Sequence, residues 1–285
     1  MSTKGKVDGE HVLYHFLQKE LLRTDVWLFQ MLASKLVASL GIWMSPKLYT
    51  KLPLLAPYAV RDNSCRKSKS NGVEQWSSPN EDGYLRDDNS LIKDIPRSFV
   101  IKSPLEIYSG KNLDTGFVAS HVWRITNQPD VCGGSASKNP FTYSFIPNLV
   151  WLPGQVAKLT DREGSFTQLY LQALSSKIYR HLDVLGPTKK FTEQCWSYLP
   201  KPVGIPEQGL PDLDELSFFE ETDDFIQKRG TIISKVADAL SSVVEGKALN
   251  EKILSSRYTE GLNKIDKSAA KKLSVFLKEY AMAVQ

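Results

Sequence analysis

The sequence predicts an α+β protein with a small strand–loop–strand–helix centre embedded among helices. Three observations predict it. Apolar residues recur at helical spacing toward both ends of the chain, over 11–40 and again over 167–182, 232–244 and 267–284. Between them, Phe117-Val118-Ala119 and Leu149-Val150-Trp151-Leu152 are short apolar runs of strand length. The connection from Asn127 to Pro140 carries Pro129, Gly133, Gly134 and Pro140 and reads as a loop.

In chain order, His11 to Leu40 reads as helix, with Leu13, Phe16, Leu17, Leu21 and Leu22 followed by Val26, Phe29, Leu32, Leu36 and Leu40. Gly41 and Pro46 punctuate its end. His11 and His15 lie one turn apart, a spacing that metal sites use but that exposed helix faces show far more often. Residues 47–60 carry Pro53 and Pro57 and read as extended or turning. The run Arg61 to Gly72 is a polar, basic loop. Arg61, Arg66, Lys67 and Lys69 are its candidate phosphate contacts, against the commoner role of a solvated linker. Gln75 to Ser90 is dense in Arg, Asn and Gln, the side chains that read base edges, and Arg86 is its basic candidate. Phe99-Val100-Ile101 is a short strand. An acid followed by Glu-x-Lys on a strand, a common metal-binding hydrolase core, has no good match, since Glu106 and Lys111 are wrongly spaced and Glu245-Gly246-Lys247 lies in a helical pattern.

After the central stretch, Thr167 to Leu182 is a helix closed by Gly186-Pro187. Residues 186–211 carry five prolines around a short Phe191–Tyr198 segment and mark a boundary or a wrapping linker. Acidic residues open an expected helix from Asp214 to Arg229. Ile232 to Val244 and Lys267 to Val284 are further helices, with apolar stripes suited to a core or a dimer contact. The expected division is a helical segment over 1–60, a central unit over 61–185 and a C-terminal region over 186–285.

The centre carries the chemistry. Its first strand runs Ala119-Ser120-His121-Val122-Trp123, its second is entered through Pro147-Asn148, and Leu159-Thr160-Asp161-Arg162 precedes Gly164. This order resembles the HNH (ββα-metal) endonuclease superfamily, most closely its restriction-type branch. The resemblance implies a metal-dependent hydrolase cutting phosphodiester bonds in double-stranded DNA, as a type II restriction endonuclease does. It makes His121 the general base toward water, and histidine suits that task because its ordinary pKa lies near working pH. It makes Asn148 the brace of the loop that orients His121, and it calls for Mg²⁺ or Mn²⁺, with Asp161 and His121 as candidate ligands and Arg124 as a further DNA contact. Two positions depart from the family pattern: Ser120 stands where an Asp is common and Ala157 where a His or Asn is common. Asp161, and more weakly Asp114, are the substitutes. The bland reading has His121 as a buried, hydrogen-bonded strand residue, Asn148 as a turn residue and the chain as a helical nucleic-acid-binding or interaction module.

Composition fits this reading. The chain has 285 residues, 41% hydrophobic and 24% charged, with a net charge of +4 and a pI of about 8.7. Mild basicity suits a nucleic-acid partner without demanding one. Three separated cysteines, Cys65, Cys132 and Cys195, argue against a disulfide framework or a zinc knuckle. No apolar leader opens the sequence and no run is long enough to span a bilayer, so the expectation is a cytoplasmic protein without a membrane partner, with a homodimer as a candidate assembly.

Overall fold

A computed structural model describes residues 15, 23–66, 75–184, 186–205, 209–222 and 224–284. Lys67 and Lys69 of the basic loop, and residues 11–14 and 16–22 of the expected first helix, lie outside them. The described part of that helix is α1 (Arg23–Leu40). Trp27, Phe29, Leu32 and Leu36 on it are exposed, whereas Val37 and Ala38 are buried. Gly41 turns the chain directly into β1 (Ile42–Met44); a Cβ there would lie 3.0 Å from the Val37 carbonyl oxygen and 3.1 Å from Val150 Cγ2.

The start of 47–60, expected to be extended or turning, instead belongs to the short helix α2 (Pro46–Lys51). Pro46 sits in its first turn, where the missing N–H is harmless, and Ser45 caps it by accepting from Leu48 N. Then follow β2 (Ala59–Arg61), β3 (Leu85–Asp87), α3 (Ser90–Asp94), β4 (Val100–Lys102) and β5 (Phe117–His121). The loop after β5 contains α4 (Pro140–Tyr143) and leads into β6 (Leu149–Pro153) and α5 (Gly154–Ala157). The rest comprises α6 (Phe166–Tyr179), α7 (Thr188–Tyr198), β7 (Ser217–Glu220), α8 (Phe225–Glu245), α9 (Glu251–Leu254) and α10 (Lys267–Ala283). The chain therefore mixes helices with a mixed sheet, in keeping with α+β.

The main sheet has the order β4-β7-β1-β6-β5. β1 and β7 run parallel, and the other pairs are antiparallel. β1 and β6 are apolar and buried almost throughout, as inner strands of the sheet. A separate parallel pair, β2 with β3, puts Arg61 opposite Asp87.

β7 corrects the helix expected over Asp214–Arg229. The acidic residues do start a helical turn, with Asp212 and Glu215 closing a capping box, but it ends at Glu215. Ser217-Phe218-Phe219-Glu220 then pairs between β1 and β4, and buried Phe219 packs edge-on against Trp151 at 5.3 Å. Burying that ring in the sheet outweighs a weak helical start on the surface. It also ties the expected three segments together: β1 comes from the first, β4 to β6 from the second and β7 from the third. The proline-rich stretch likewise lies against the body, where Trp196 Nε1 donates to Tyr49 Oη at 2.9 Å and Pro200 O accepts from Trp123 Nε1 at 2.9 Å. The α10 stripe is core: Leu273, Leu277 and Tyr280 are buried, and Tyr280 Oη bonds both Leu54 N and Leu54 O.

Among the described residues no helix is long and apolar enough to cross a membrane. Cys65, Cys132 and Cys195 are free thiols.

Candidate active site

β5 ends at His121 on the edge of the main sheet, antiparallel to β6, with His121 opposite Leu149. Alternation along the strand buries Ala119 and His121 and exposes Val118. Pro147 and Asn148 close a turn into β6, and α5 follows at once. Strand with histidine, loop, asparagine with strand and short helix thus occur in the order read from the sequence.

Asn148 is fully buried and bonds on both sides. Its Oδ1 accepts from Trp123 N at 2.7 Å, and its Nδ2 donates to Thr142 O at 2.9 Å. The backbone adds Val122 N to Asn148 O at 3.0 Å. One side chain therefore fastens the residues just after His121 to those just before Tyr143.

Tyr143 is the partner of His121 that sequence reasoning missed. His121 Nε2 bonds Tyr143 O at 3.0 Å, and the two rings stack 23° apart with centroids at 5.5 Å. A carbonyl only accepts, so Nε2 carries the hydrogen and Nδ1 keeps its lone pair. Nδ1 has no hydrogen-bond partner. His121 is 9% exposed. Its burial, with the Arg61 and then the Arg124 guanidinium nearby, pulls the imidazole down to about 3, against the attraction of the Tyr143 carbonyl. It is a neutral imidazole at working pH. The Tyr143 hydroxyl in turn donates to Asp87 Oδ2 at 2.7 Å, and burial together with Asp87 pushes its own ionisation far up, so it stays a donor. Nothing local in the sequence marks Tyr143, which is 22 residues from His121 and 56 from Asp87.

His121 lines a cleft of about 1010 Å³ shared with Arg61, Arg66, Lys93, Arg124 and Lys158. The cleft brings together strands β2 and β5, α3 and the turn after α5, which no sequence window spans. Arg61 Nε is buried without a hydrogen-bond partner. Arg66 pairs with the buried Asp88 carboxylate. Five basic side chains against Asp88 and Asp161 make this cleft suited to an anion.

Asp161 is on the rim, with its side chain 73% exposed. Arg124 Nη1 contacts both the Asp161 carbonyl oxygen and, at 3.5 Å, its Oδ1. Asp161 does not cap the next helix; Ser165 does, accepting from Gln168 N. Asp114 is exposed and lies outside the cleft lining. Arg86 points elsewhere: its guanidinium bonds Ser64 Oγ, Ser78 Oγ and Ser78 O and faces Asp62 at 3.5 Å, stitching the start of the basic loop to residue 78. The cleft also holds one wholly buried carboxylate, Asp88, paired with Arg66, and unpartnered buried acceptors on Asn89 and His121.

No protein-family model, no curated protein and no solved structure matches this chain.

Proposed function

We propose that the chain is a metal-dependent endonuclease that hydrolyses phosphodiester bonds in double-stranded DNA, in the manner of a type II restriction enzyme. One observation carries this reading. A neutral histidine with an uncommitted Nδ1 ends a strand beside an Asn-braced loop, in a cleft lined by cations.

Arg61 and Arg124, whose charges His121 already feels, would hold the non-bridging oxygens of the phosphate. Tyr143 O holds the ring, so Nδ1 is free to accept a proton from water. The water oxygen forms the new bond to phosphorus while the bond to the 3′ oxygen breaks. A bound divalent cation would supply Lewis-acid stabilisation of the charge on the phosphate and the leaving oxygen. Bringing a phosphate beside Arg61 and Arg124 offsets their repulsion of a charged imidazole, so His121 becomes a better base with substrate present.

The test is cleavage of supercoiled plasmid by purified protein in Mg²⁺, with and without chelator. Wild type should nick or linearise the DNA, and His121→Ala should not, while its duplex affinity stays within a few-fold. Full cleavage by His121→Ala would remove the assignment. Tight duplex binding by a wild type that never cuts would mark a binding module.

A further inference from the structure

We propose that Asp88 and Asn89, which lie outside the strand–loop–strand centre, supply the oxygen ligands for a divalent cation in the His121 cleft. The role of that cation in hydrolysis rests on the reading above; its binding does not.

Ser120 and Ala157 leave the centre itself without the carboxylate and second ligand that such a cation needs. The fold brings them from elsewhere. Asp88 and Asn89 both line the cleft with His121, delivered by the turn between β3 and α3. The Asp88 carboxylate is 0% exposed, and its Oδ2 accepts no hydrogen bond; its partner is the ion pair with Arg66. Asn89 donates from Nδ2 to Ala119 O on β5, two residues before His121. A carbonyl demands the amide nitrogen there, so the amide orientation is set and Oδ1 is the free end. That Oδ1 is buried and has no partner. His121 Nδ1, nine-tenths buried, is likewise without one.

Buried acceptors without donors are rare, because each carries an uncompensated desolvation penalty. Among the residues lining this cleft the donor Arg61 Nε is also unpartnered and suits the phosphate, and His121 Nδ1 is kept for the proton of water; that leaves Asn89 Oδ1 and the Asp88 carboxylate beside it, which Arg66 neutralises, as the oxygens a cation would take. A carboxylate and an amide oxygen are hard donors and select Mg²⁺ or Mn²⁺ over soft metals. Cations of this type are held by one or two carboxylates, waters and the substrate phosphate, so a small protein ligand set is sufficient.

Arg66 has the complementary role. Its side chain is 59% exposed, free to swing, and it neutralises Asp88 when the cation is away. A guanidinium and a divalent cation then compete for the same carboxylate. This makes an unusual prediction: removing the arginine should strengthen cation binding.

The experiment is titration of the full chain with Mn²⁺ as probe, followed by calorimetry, with melting curves for every variant. Wild type should show one site. Asp88→Asn should weaken it at least tenfold and Asn89→Ala severalfold, whereas Arg66→Ala should tighten it severalfold. A folded Asp88→Asn with wild-type affinity, a wild type with no site, or a loss that follows Asp161→Asn instead would overturn the proposal. If Asp88→Asn does not fold, Arg66→Ala decides, and unchanged or weaker affinity in that variant sinks the idea. Mn²⁺ bound at Asp88 by a protein that cuts no DNA would keep the site and discard the nuclease reading. Cleavage that is lost in chelator but persists in a folded Asp88→Asn with wild-type Mn²⁺ affinity would do the reverse.

Discussion

Replacing Asn148 with Ala removes two buried hydrogen bonds without disturbing the backbone pairing of β5 and β6. The side chain is wholly enclosed, and its partners sit at 2.7 Å and 2.9 Å. The Trp123 N–H loses its acceptor and the Thr142 carbonyl loses the amide donor, and neither gains ready access to water. Leaving a buried polar group unpaired costs about 1–3 kcal/mol, so the pair costs about 2–6 kcal/mol. That is a large part of the roughly 5–15 kcal/mol that holds a typical domain. At about 2 °C per kcal/mol, appropriate to a chain of this size, the melting temperature should fall by about 4–12 °C. Differential scanning calorimetry of wild type and variant at neutral pH measures it. Asn148→Asp is the companion: it keeps the acceptor for Trp123 N but turns an oxygen toward Thr142 O, so it too should melt early. A drop under about 2 °C in both variants would refute the brace. Because Thr142 precedes Tyr143, whose carbonyl holds His121, any cleavage activity should fall together with stability.

Three further outcomes follow from the same geometry. Native His121 titrates near 3 against 6.5 in the unfolded chain, so the unfolded chain binds the extra proton between those values; stability is full above pH 6.5 and erodes below it by up to about 1.4 kcal/mol per pH unit, and denaturant melts at pH 7.5 and 4.5 should show this slope flattened in His121→Gln, with parallel profiles counting against it. Arg61→Ala and Arg124→Ala should each lower the salt slope of duplex binding by about 0.9, measured by anisotropy between about 50 and 200 mM salt, whereas Arg86→Ala should leave the slope alone and lower the melting temperature. Tyr143→Phe removes a 2.7 Å bond to a buried carboxylate and should cost about 1.5–3 kcal/mol in chemical denaturation; an unchanged midpoint would show that Asp87 is held by Ser90 and Leu91 N alone.

The short-range features of this protein were legible in its sequence. The order of strand, loop, strand and helix follows from apolar runs and Pro/Gly punctuation within residues 116–166, and so does the placing of His121 at a strand end and Asn148 at a strand entry. The amphipathic helices α6, α8 and α10 follow from the same local periodicity. Tertiary packing alone decided the rest. A strand was missed at Ser217–Glu220 because its stability comes from Trp151 and Phe99, far away in sequence, and not from its own propensity. Arg86 looked like a base reader, yet its donors were claimed by Ser64 and Ser78 once the loop closed. Asp161 looked like the motif's carboxylate, but it sits at the rim held by Arg124, while the buried carboxylate of the cleft is Asp88 from another strand pair. Tyr143 became the holder of His121 only through its backbone carbonyl, which every residue has and no sequence can single out. Local patterning determines which segments are strands and helices, because those energies are summed over neighbours in the chain. Which polar groups meet in the cleft depends on where distant segments pack, because a buried charge or donor takes whichever partner the enclosed space provides.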